Sequence, residues 1–140
     1  MAASLDFVGA QRLNDDMGFK GGTLASPAAL RHYVFPTQRR ICEIAHRHGK
    51  PVLLHSFEDV IMPVWEAKRK WGHRMALLGG VDMDVLARGS EEQVRAYTRR
   101  CLEECAPGGG WALESGNTVA NYVPVWNFLA MLEEGWQYGR

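Results

Sequence analysis

Short apolar runs alternate with longer segments of mixed polarity along the whole chain. The second of these runs stays apolar up to His55 and is too short for a helix, which is typical of a strand in a buried parallel sheet. We therefore expect a buried strand that ends in a titratable side chain. The four predicted strands are residues 5–11, the run that follows Gly49 and ends on His55, residues 75–78, and residues 111–114.

Capping residues indicate that the segments between the strands are helices. Ser26 precedes Pro27, and a proline at the first helical position loses no helical hydrogen bond. Ser90 and Gln93 have the spacing of a capping box. The predicted helices are 27–33, a second that Pro36 separates from it and that ends at His48 before Gly49, one through Trp65 and Trp71 to Gly72, one from Ser90 to about Cys105, and 124–135 with Phe128, Met131 and Leu132 on one face.

Strands and helices alternate four times along the sequence. This order predicts an α/β protein with a parallel sheet and right-handed crossovers, either an open doubly wound sheet or part of a barrel. A chain of 140 residues, 46% of them apolar, can build one core, so we expect a single domain over residues 1–140.

Charge and hydropathy narrow the classes of function. Sixteen basic and sixteen acidic side chains cancel, so no overall charge draws the chain to nucleic acid or to an anionic membrane. No apolar run reaches the roughly 18 residues that a membrane helix needs, and the N-terminus lacks a signal-peptide pattern. We expect a cytoplasmic protein without nucleic-acid or membrane partners.

The three cysteines all fall inside predicted helices, and their odd number argues against a disulfide framework. Cys101 and Cys105 are one helical turn apart, but no second ligand pair stands at a matching spacing for a metal. They continue an apolar stripe with Val94, Tyr97 and Leu102, so packing in the core is favoured over metal binding.

Polar side chains recur where each predicted strand ends. In a parallel sheet these ends share one edge, so residues far apart in sequence are expected to converge on one cleft. The alternative for each of them is an ordinary helix cap, and Asp82 and Asp84 could cap a short turn over residues 83–86. The candidate site residues are Asp15, Asp16, His55, Asp82, Ser115 and Asn117.

Several sequence segments around the strand ends together form a family pattern. They are Asp15-Asp16-Met17-Gly18-Phe19 with Ser26-Pro27, Gly49-Lys50-Pro51 leading to His55, Gly79-Gly80-Val81-Asp82, and Ser115-Gly116-Asn117 before Pro124. This set resembles the uroporphyrinogen decarboxylase family, which includes decarboxylases of haem biosynthesis and corrinoid- or coenzyme-M-linked methyltransferases on a (β/α)₈ TIM barrel. The resemblance implies the C-terminal half of that barrel, about four βα units, without an N-terminal half and with about one unit deleted after His55-Ser56.

The resemblance also implies a chemistry and its residues. It gives catalytic roles to Asp16, which would balance charge on a pyrrole nitrogen, and to His55. It gives substrate binding to Asp15, Asp82, Ser115 and Asn117. The implied reaction is decarboxylation of a porphyrinogen-type substrate in haem synthesis, which needs no cofactor.

Metal chemistry separates the decarboxylase from the methyltransferase alternative. The zinc-dependent methyltransferases use a His-x-Cys motif and a later Cys, and the matching positions here are His55, Phe57 and Asn117. Neither Phe nor Asn replaces a thiolate ligand, so no metal is expected. The alternatives are a methyltransferase-like member acting on a methylated compound and a non-catalytic half-barrel. The expected partners are a small-molecule tetrapyrrole or methylated substrate, and a second copy or the missing half.

Overall fold

A computed structural model describes residues 6–19, 22–55 and 62–140, apart from the side chain of Phe19. The chain divides into two compact units, residues 1–57 and 58–140, which we call the N-terminal and C-terminal units. Both units mix helices with short strands, and each contains one parallel strand pair, so the predicted α/β class is confirmed. The strands described in these ranges pair two by two and do not close into a barrel.

The N-terminal unit combines a parallel strand pair, a small hairpin and a long helical segment. Strand β1 pairs in parallel with β4, and β2 pairs antiparallel with β3. Its elements are β1 (Gln11–Asn14), β2 (Gly18–Phe19), β3 (Gly22–Thr23), α1 (Pro27–Ala29), a π-helical turn (Leu30–Val34), α2 (Phe35–Arg47) and β4 (Val52–His55).

The first strand lies later in the chain than predicted. The sequence predicts a strand over residues 5–11, of which residue 5 lies outside the described residues, but β1 runs from Gln11 to Asn14 and shares only Gln11 with that prediction. Backbone pairing with β4 sets this register, because Gln11 lies opposite Val52 and Asn14 opposite His55. The long-range hydrogen-bond ladder therefore outweighs the local apolar pattern.

Strand β4 is confirmed in position but not in burial. It spans Val52–His55 and pairs in parallel, as predicted. However, Leu53 and Leu54 are 40% and 44% exposed, so the expectation of a strand buried on both faces is wrong for the structure described. A two-stranded sheet has too few neighbours to cover both faces of an apolar strand.

The start and stop of the long helical segment follow the predicted signals. The Ser26 hydroxyl accepts the Ala29 N–H at 3.2 Å, and Gly49 has the positive φ of +66° that follows many helix ends. Pro36 was expected to separate two helices, but the π-helical turn continues directly into α2. The proline lies in the first turn of α2, where a missing N–H costs little, and the π-helical turn precedes it.

The C-terminal unit is built on a second parallel pair with a helical crossover. Leu77 pairs with Trp111, and a further bridge joins Val81 to Ser115. The strands occupy only part of the predicted runs 75–78 and 111–114. The elements are α3 (Val64–Trp71), β5 (Leu77–Leu78), α4 (Met83–Arg88), α5 (Glu91–Cys105), β6 (Trp111–Ala112) and α6 (Val125–Tyr138).

The cysteines pack in the core of this unit, as predicted. Cys101 and Cys105 are fully buried, and the Cys101 thiol donates to the carbonyl oxygen of Gly80 at 3.4 Å. Burial raises the pKa of the Cys105 thiol. The capping box is also confirmed, because the Gln93 N–H donates to the Ser90 hydroxyl and the Ser90 N–H to the Gln93 side chain.

The buried face of α6 differs from the predicted one. Met131 is buried but Leu132 is 46% exposed, so the predicted apolar face is only partly the buried one. The buried positions are Asn127, Ala130, Met131 and Glu134, at helical spacing. Asn127 donates to two main-chain carbonyls at 2.8 Å, and Glu134 accepts from two arginines, so polar contacts set this face.

No helix in the described ranges is long and apolar enough to cross a membrane.

Candidate functional site

An acid–imidazole pair lies at the carboxyl end of the parallel strands in the N-terminal unit. The register that sets Asn14 opposite His55 continues with a hydrogen bond from the Asp15 N–H to the His55 carbonyl oxygen at 3.1 Å. This brings Oδ1 of Asp16 to 3.7 Å from Nε2 of His55. The Asp16 side chain is 53% exposed and the His55 side chain 32%, so both are accessible to a ligand.

The neighbouring carboxylate has a different partner. Oδ2 of Asp15 accepts a hydrogen bond from Nε2 of Gln38 on α2 at 2.7 Å, and the same nitrogen lies 3.7 Å from the Met17 sulfur. The contact ties the loop after β1 to α2 and holds Asp15 while Asp16 remains near His55. Gln38 was not predicted, because nothing in the sequence links it to a residue 23 positions away.

Three predicted residues lie where the strands of the C-terminal unit end. The Val81–Ser115 bridge sets Asp82 and the Ser115–Asn117 turn at one edge of this small sheet. Oδ1 of Asp82 accepts the Asp84 N–H at 2.8 Å and caps α4, as the alternative interpretation expected. The Ser115 hydroxyl donates to the Asn117 carbonyl oxygen at 2.8 Å, which closes the turn after β6.

These contacts make Asp82, Ser115 and Asn117 parts of a cap or a turn. Polar atoms of Asp82 and Asn117 nevertheless remain available for a ligand. A carboxylate offers about four acceptor positions, and a side-chain amide offers two N–H donors. The side-chain oxygen of Asn117, Oδ1, accepts the Thr118 N–H at 2.8 Å. The convergence of all six candidates on one cleft, and their functional roles, stay predictions.

An arginine–glutamate network between α5 and α6 was missed by the sequence reasoning. Glu134 is 4% exposed and accepts from Nε of Arg99 at 2.6 Å and from Nη1 of Arg95 at 3.2 Å. Arg95 also pairs with Glu91 and Glu133. Hydrogen bonds from Arg99 hold the pKa of the Glu134 carboxyl below its ordinary value. The arginines at i and i+4 were the available signal, and the network fixes α6 on α5.

An open groove of about 580 Å³ lies along α4 and α5 in the same unit. None of the six candidate site residues lines it. Its polar lining comes from Asp84, Arg88, Gln93, Tyr97 and Arg100. Arg100 is committed elsewhere, since its guanidinium stacks 4.0 Å from the centre of the Trp65 ring and its Nε donates to Glu104 at 2.7 Å.

Metal ligands do not cluster among the residues that the structure describes, where no three His, Cys, Asp or Glu side chains come together. Phe57, one of the positions compared with the zinc motif, lies outside the described residues. The absence of bound zinc therefore stays a prediction from the sequence.

The parallel strand pairs and the polar side chains at their ends define an α/β protein with candidate site residues at the strand ends of each unit. Comparison with known protein families identifies its relatives: the model of the family described as Uroporphyrinogen decarboxylase (URO-D) matches residues 56–138, more than half of the chain. The chain therefore belongs to the uroporphyrinogen decarboxylase family, as the resemblance indicated. No solved structure matches it.

A similar curated protein is a uroporphyrinogen decarboxylase from Thioalkalivibrio sulfidiphilus strain HL-EbGR7. It is 33% identical over 76 residues, which cover 54% of this chain and 21% of the relative. The chain thus spans about a fifth of the length of this relative.

The family match divides the candidate residues into two groups. It begins at residue 56, directly after His55, where the resemblance had indicated a deleted unit. Asp82, Ser115 and Asn117 lie inside the matched region, whereas Asp15, Asp16 and His55 lie before it. The acid–imidazole pair is therefore supported by its geometry and by the resemblance of the motifs, but not by this match.

Proposed function

We propose that this chain contributes to the cofactor-independent decarboxylation of a porphyrinogen-type substrate in tetrapyrrole synthesis, in the cytoplasm. Its membership of the uroporphyrinogen decarboxylase family is the observation that carries the proposal. The relative that shares 33% of the aligned residues is named as a uroporphyrinogen decarboxylase, which supports the same reaction.

We assign the chemical step to the pair in the N-terminal unit. A carboxylate beside a developing positive charge stabilises it, and Asp16 would do this for a ring nitrogen of the substrate. His55, whose Nε2 lies 3.7 Å from Asp16, would orient that carboxylate and bind the substrate. The Asp16 side chain is about half exposed and the His55 side chain about one third, which supports access from solvent.

We assign carboxylate and pyrrole recognition to the remaining candidates. The amide of Asn117 can donate to a substrate carboxylate, and Asp82 can accept from a pyrrole N–H. Asp15, held by Gln38, and Ser115, in the turn after β6, would position these groups.

We further propose that the chain folds as about four βα units of a (β/α)₈ barrel. The two parallel pairs supply four strands, whereas a closed barrel takes about eight. Full activity would then require the remaining strands of the barrel.

Decarboxylation and binding by the 140-residue chain test this proposal together. Reduced uroporphyrinogen is incubated with the protein, and the porphyrins formed on oxidation are separated by their number of carboxylates. Binding is measured separately with the corresponding porphyrin, by quenching of tryptophan fluorescence. We expect Asp16→Asn to lower turnover by about a hundredfold, in the range for loss of one stabilising group, while binding is retained.

Glu43→Gln is the matched control, since it also neutralises an exposed carboxylate of the N-terminal unit but lies on α2 outside the candidate set. The assignment of Asp16 would be contradicted if Asp16→Asn left turnover unchanged, or if Glu43→Gln lowered it by as much as Asp16→Asn does. A wild-type chain that neither binds nor converts the substrate would favour the non-catalytic alternative instead.

A further inference from the structure

Alternate side chains of β1 and of the loop after it face two different surroundings. Asp15 accepts a hydrogen bond from Gln38 on α2, so the half-buried side of the strand is the side that this helix covers. Because side chains alternate along an extended chain, Arg12, Asn14 and Asp16 lie on the opposite side, and all three are exposed. The strand therefore presents a row of polar side chains that faces away from α2.

His55 joins this polar row from the neighbouring strand. The parallel register sets Asn14 opposite His55, and residues that lie opposite each other point to the same face of a sheet. Nε2 of His55 lies 3.7 Å from Oδ1 of Asp16, the last residue of the row. The acid–imidazole pair therefore lies on the same face as Arg12 and Asn14.

A hydrogen bond holds Arg12 and Asn14 together and fixes how the amide is oriented. Nε of Arg12 donates to Oδ1 of Asn14 at 2.8 Å. A guanidinium has N–H donors and no acceptor, so the amide oxygen must face Arg12 while the amide NH₂ group points elsewhere. The remaining N–H groups of both side chains make no hydrogen bond or ion pair among the residues that the structure describes. The pair is therefore a set of donors that a ligand can use.

The chemistry of these donors suits a carboxylate. A guanidinium binds a carboxylate through two parallel hydrogen bonds, and the neighbouring amide adds another donor. Asp16 offers the opposite chemistry, an acceptor, and it follows Asn14 by two residues, roughly 7 Å of extended chain. A porphyrinogen-type substrate carries N–H groups and carboxylate side chains on opposite edges of each pyrrole ring. The polar row therefore matches both edges of such a ring.

We propose that Arg12 and Asn14 form a binding site for a carboxylate of the substrate, beside the Asp16–His55 pair. The site rests on the proposed function, because that substrate supplies both the carboxylates and the ring N–H groups. In the barrel proposed above the helices cover the outside, so the face away from α2 is the inner one. The carboxylate bound here is one that the product keeps, since a cation stabilises a carboxylate against loss of its charge as carbon dioxide. Arg12 thus binds the substrate and orients its ring on Asp16.

Isothermal titration of the 140-residue chain with uroporphyrin, a porphyrin with a carboxylate on every side chain, tests the site without any turnover. We expect Arg12→Gln to weaken binding by about tenfold, in the range for loss of hydrogen bonds from a charged donor. The difference between wild type and variant should shrink as salt is raised, because salt screens exposed charges. Arg40→Gln is the matched control, since Arg40 is also exposed but lies on α2, outside the polar row.

The outcomes separate this site from the proposed reaction. An affinity that Arg12→Gln leaves unchanged, or that Arg40→Gln lowers equally, overturns the site. Circular dichroism verifies that each variant is folded, and if Arg12→Gln is unfolded, Asn14→Ala takes its place, with an unchanged affinity again overturning the site. Arg12-dependent binding without turnover of the reduced substrate supports the site and contradicts the proposed reaction.

A wild type that does not bind uroporphyrin is titrated with benzenehexacarboxylate, which offers carboxylates without the macrocycle. Binding of this compound that Arg12→Gln weakens supports the carboxylate site and contradicts the proposed substrate. If neither compound binds, the site itself is overturned.

Discussion

Gly80 occupies a position where a side chain has no room. It lies between β5 and α4 with φ of +118°, and its carbonyl oxygen accepts from the buried Cys101 thiol. A Cβ added here would lie 2.4 Å from Cγ1 of Val64 and 2.8 Å from its Cβ. Val64 is 4% exposed and belongs to the same core, so it cannot move aside freely. Close packing against α3 therefore accounts for this glycine.

The expected cost of Gly80→Ala has two parts. Forcing a residue with a Cβ into this sparsely populated backbone region costs about 1–3 kcal/mol. Crowding a close-packed core costs about 1–3 kcal/mol more. The sum, about 2–6 kcal/mol, is a large part of the 5–15 kcal/mol that typically stabilises a domain. Gly80→Ala should therefore severely destabilise the C-terminal unit.

Urea unfolding followed by tryptophan fluorescence measures this cost. All five tryptophans lie between residues 65 and 136, so the signal reports on the C-terminal unit. Gly108→Ala is the matched control: it has φ of +78°, but no atom lies within 4 Å of an added Cβ, so we expect the strain alone, about 1–2 kcal/mol. Val64→Ala in the Gly80→Ala background should recover part of the loss, because it removes the closest methyl group.

If Gly80→Ala and Gly108→Ala lowered the free energy of unfolding equally, the packing argument would be refuted. Both changes place a Cβ at a positive φ, and only Gly80→Ala also brings it against Val64. A double-variant cycle in which the effects of Gly80→Ala and Val64→Ala simply add would refute the contact with α3.

Two further predictions concern charge and metal content. Because hydrogen bonds from Arg99 lower the pKa of Glu134, its carboxylate stabilises the fold above the ordinary carboxyl pKa, and this contribution is lost as the pH falls through the lowered value. Glu134→Gln should therefore reduce stability at neutral pH and flatten its decline in acid, and urea unfolding with an unchanged acid slope would contradict this. We also expect no stoichiometric zinc, since Asn117 stands where the methyltransferases place sulfur. Elemental analysis finding one zinc per chain that His55→Ala removes would overturn this.

The parts of the fold that sequence could predict depend on local physics. Ser26 and Ser90 cap helices through hydrogen bonds to residues three positions away, and Gly49 and Gly72 end helices through their own backbone. Such signals need no knowledge of the rest of the chain. The burial of Cys101 was likewise visible in the helical spacing of its apolar neighbours.

The parts that failed depend on contacts distant in sequence. The register of β1 is set by β4, about 40 residues later, while Phe7 in the apolar run before it is 84% exposed. Two polar residues decide which face of α6 is buried. Asn127 donates to main-chain oxygens of α4 and of the segment after it, and Glu134 accepts from an arginine of α5. A hydrophobic pattern gives a polar residue no reason to face inwards, so it does not predict that Asn127 and Glu134 are buried.

The candidate site shows the same division between local and long-range effects. The carboxyl of Asp82 caps α4, and the sequence could predict this because the partner is two residues away. Capping takes up one oxygen, which leaves the other as an acceptor for a ligand. The side-chain oxygen of Asn117 accepts the Thr118 N–H within the turn. Its side-chain nitrogen makes no hydrogen bond among the described residues. A substrate that carries both carboxylates and pyrrole N–H groups needs donors and acceptors, and these two side chains offer one of each. The structural role of Asp82 and Asn117 is therefore compatible with substrate binding, and it would hold both groups in place before the substrate arrives.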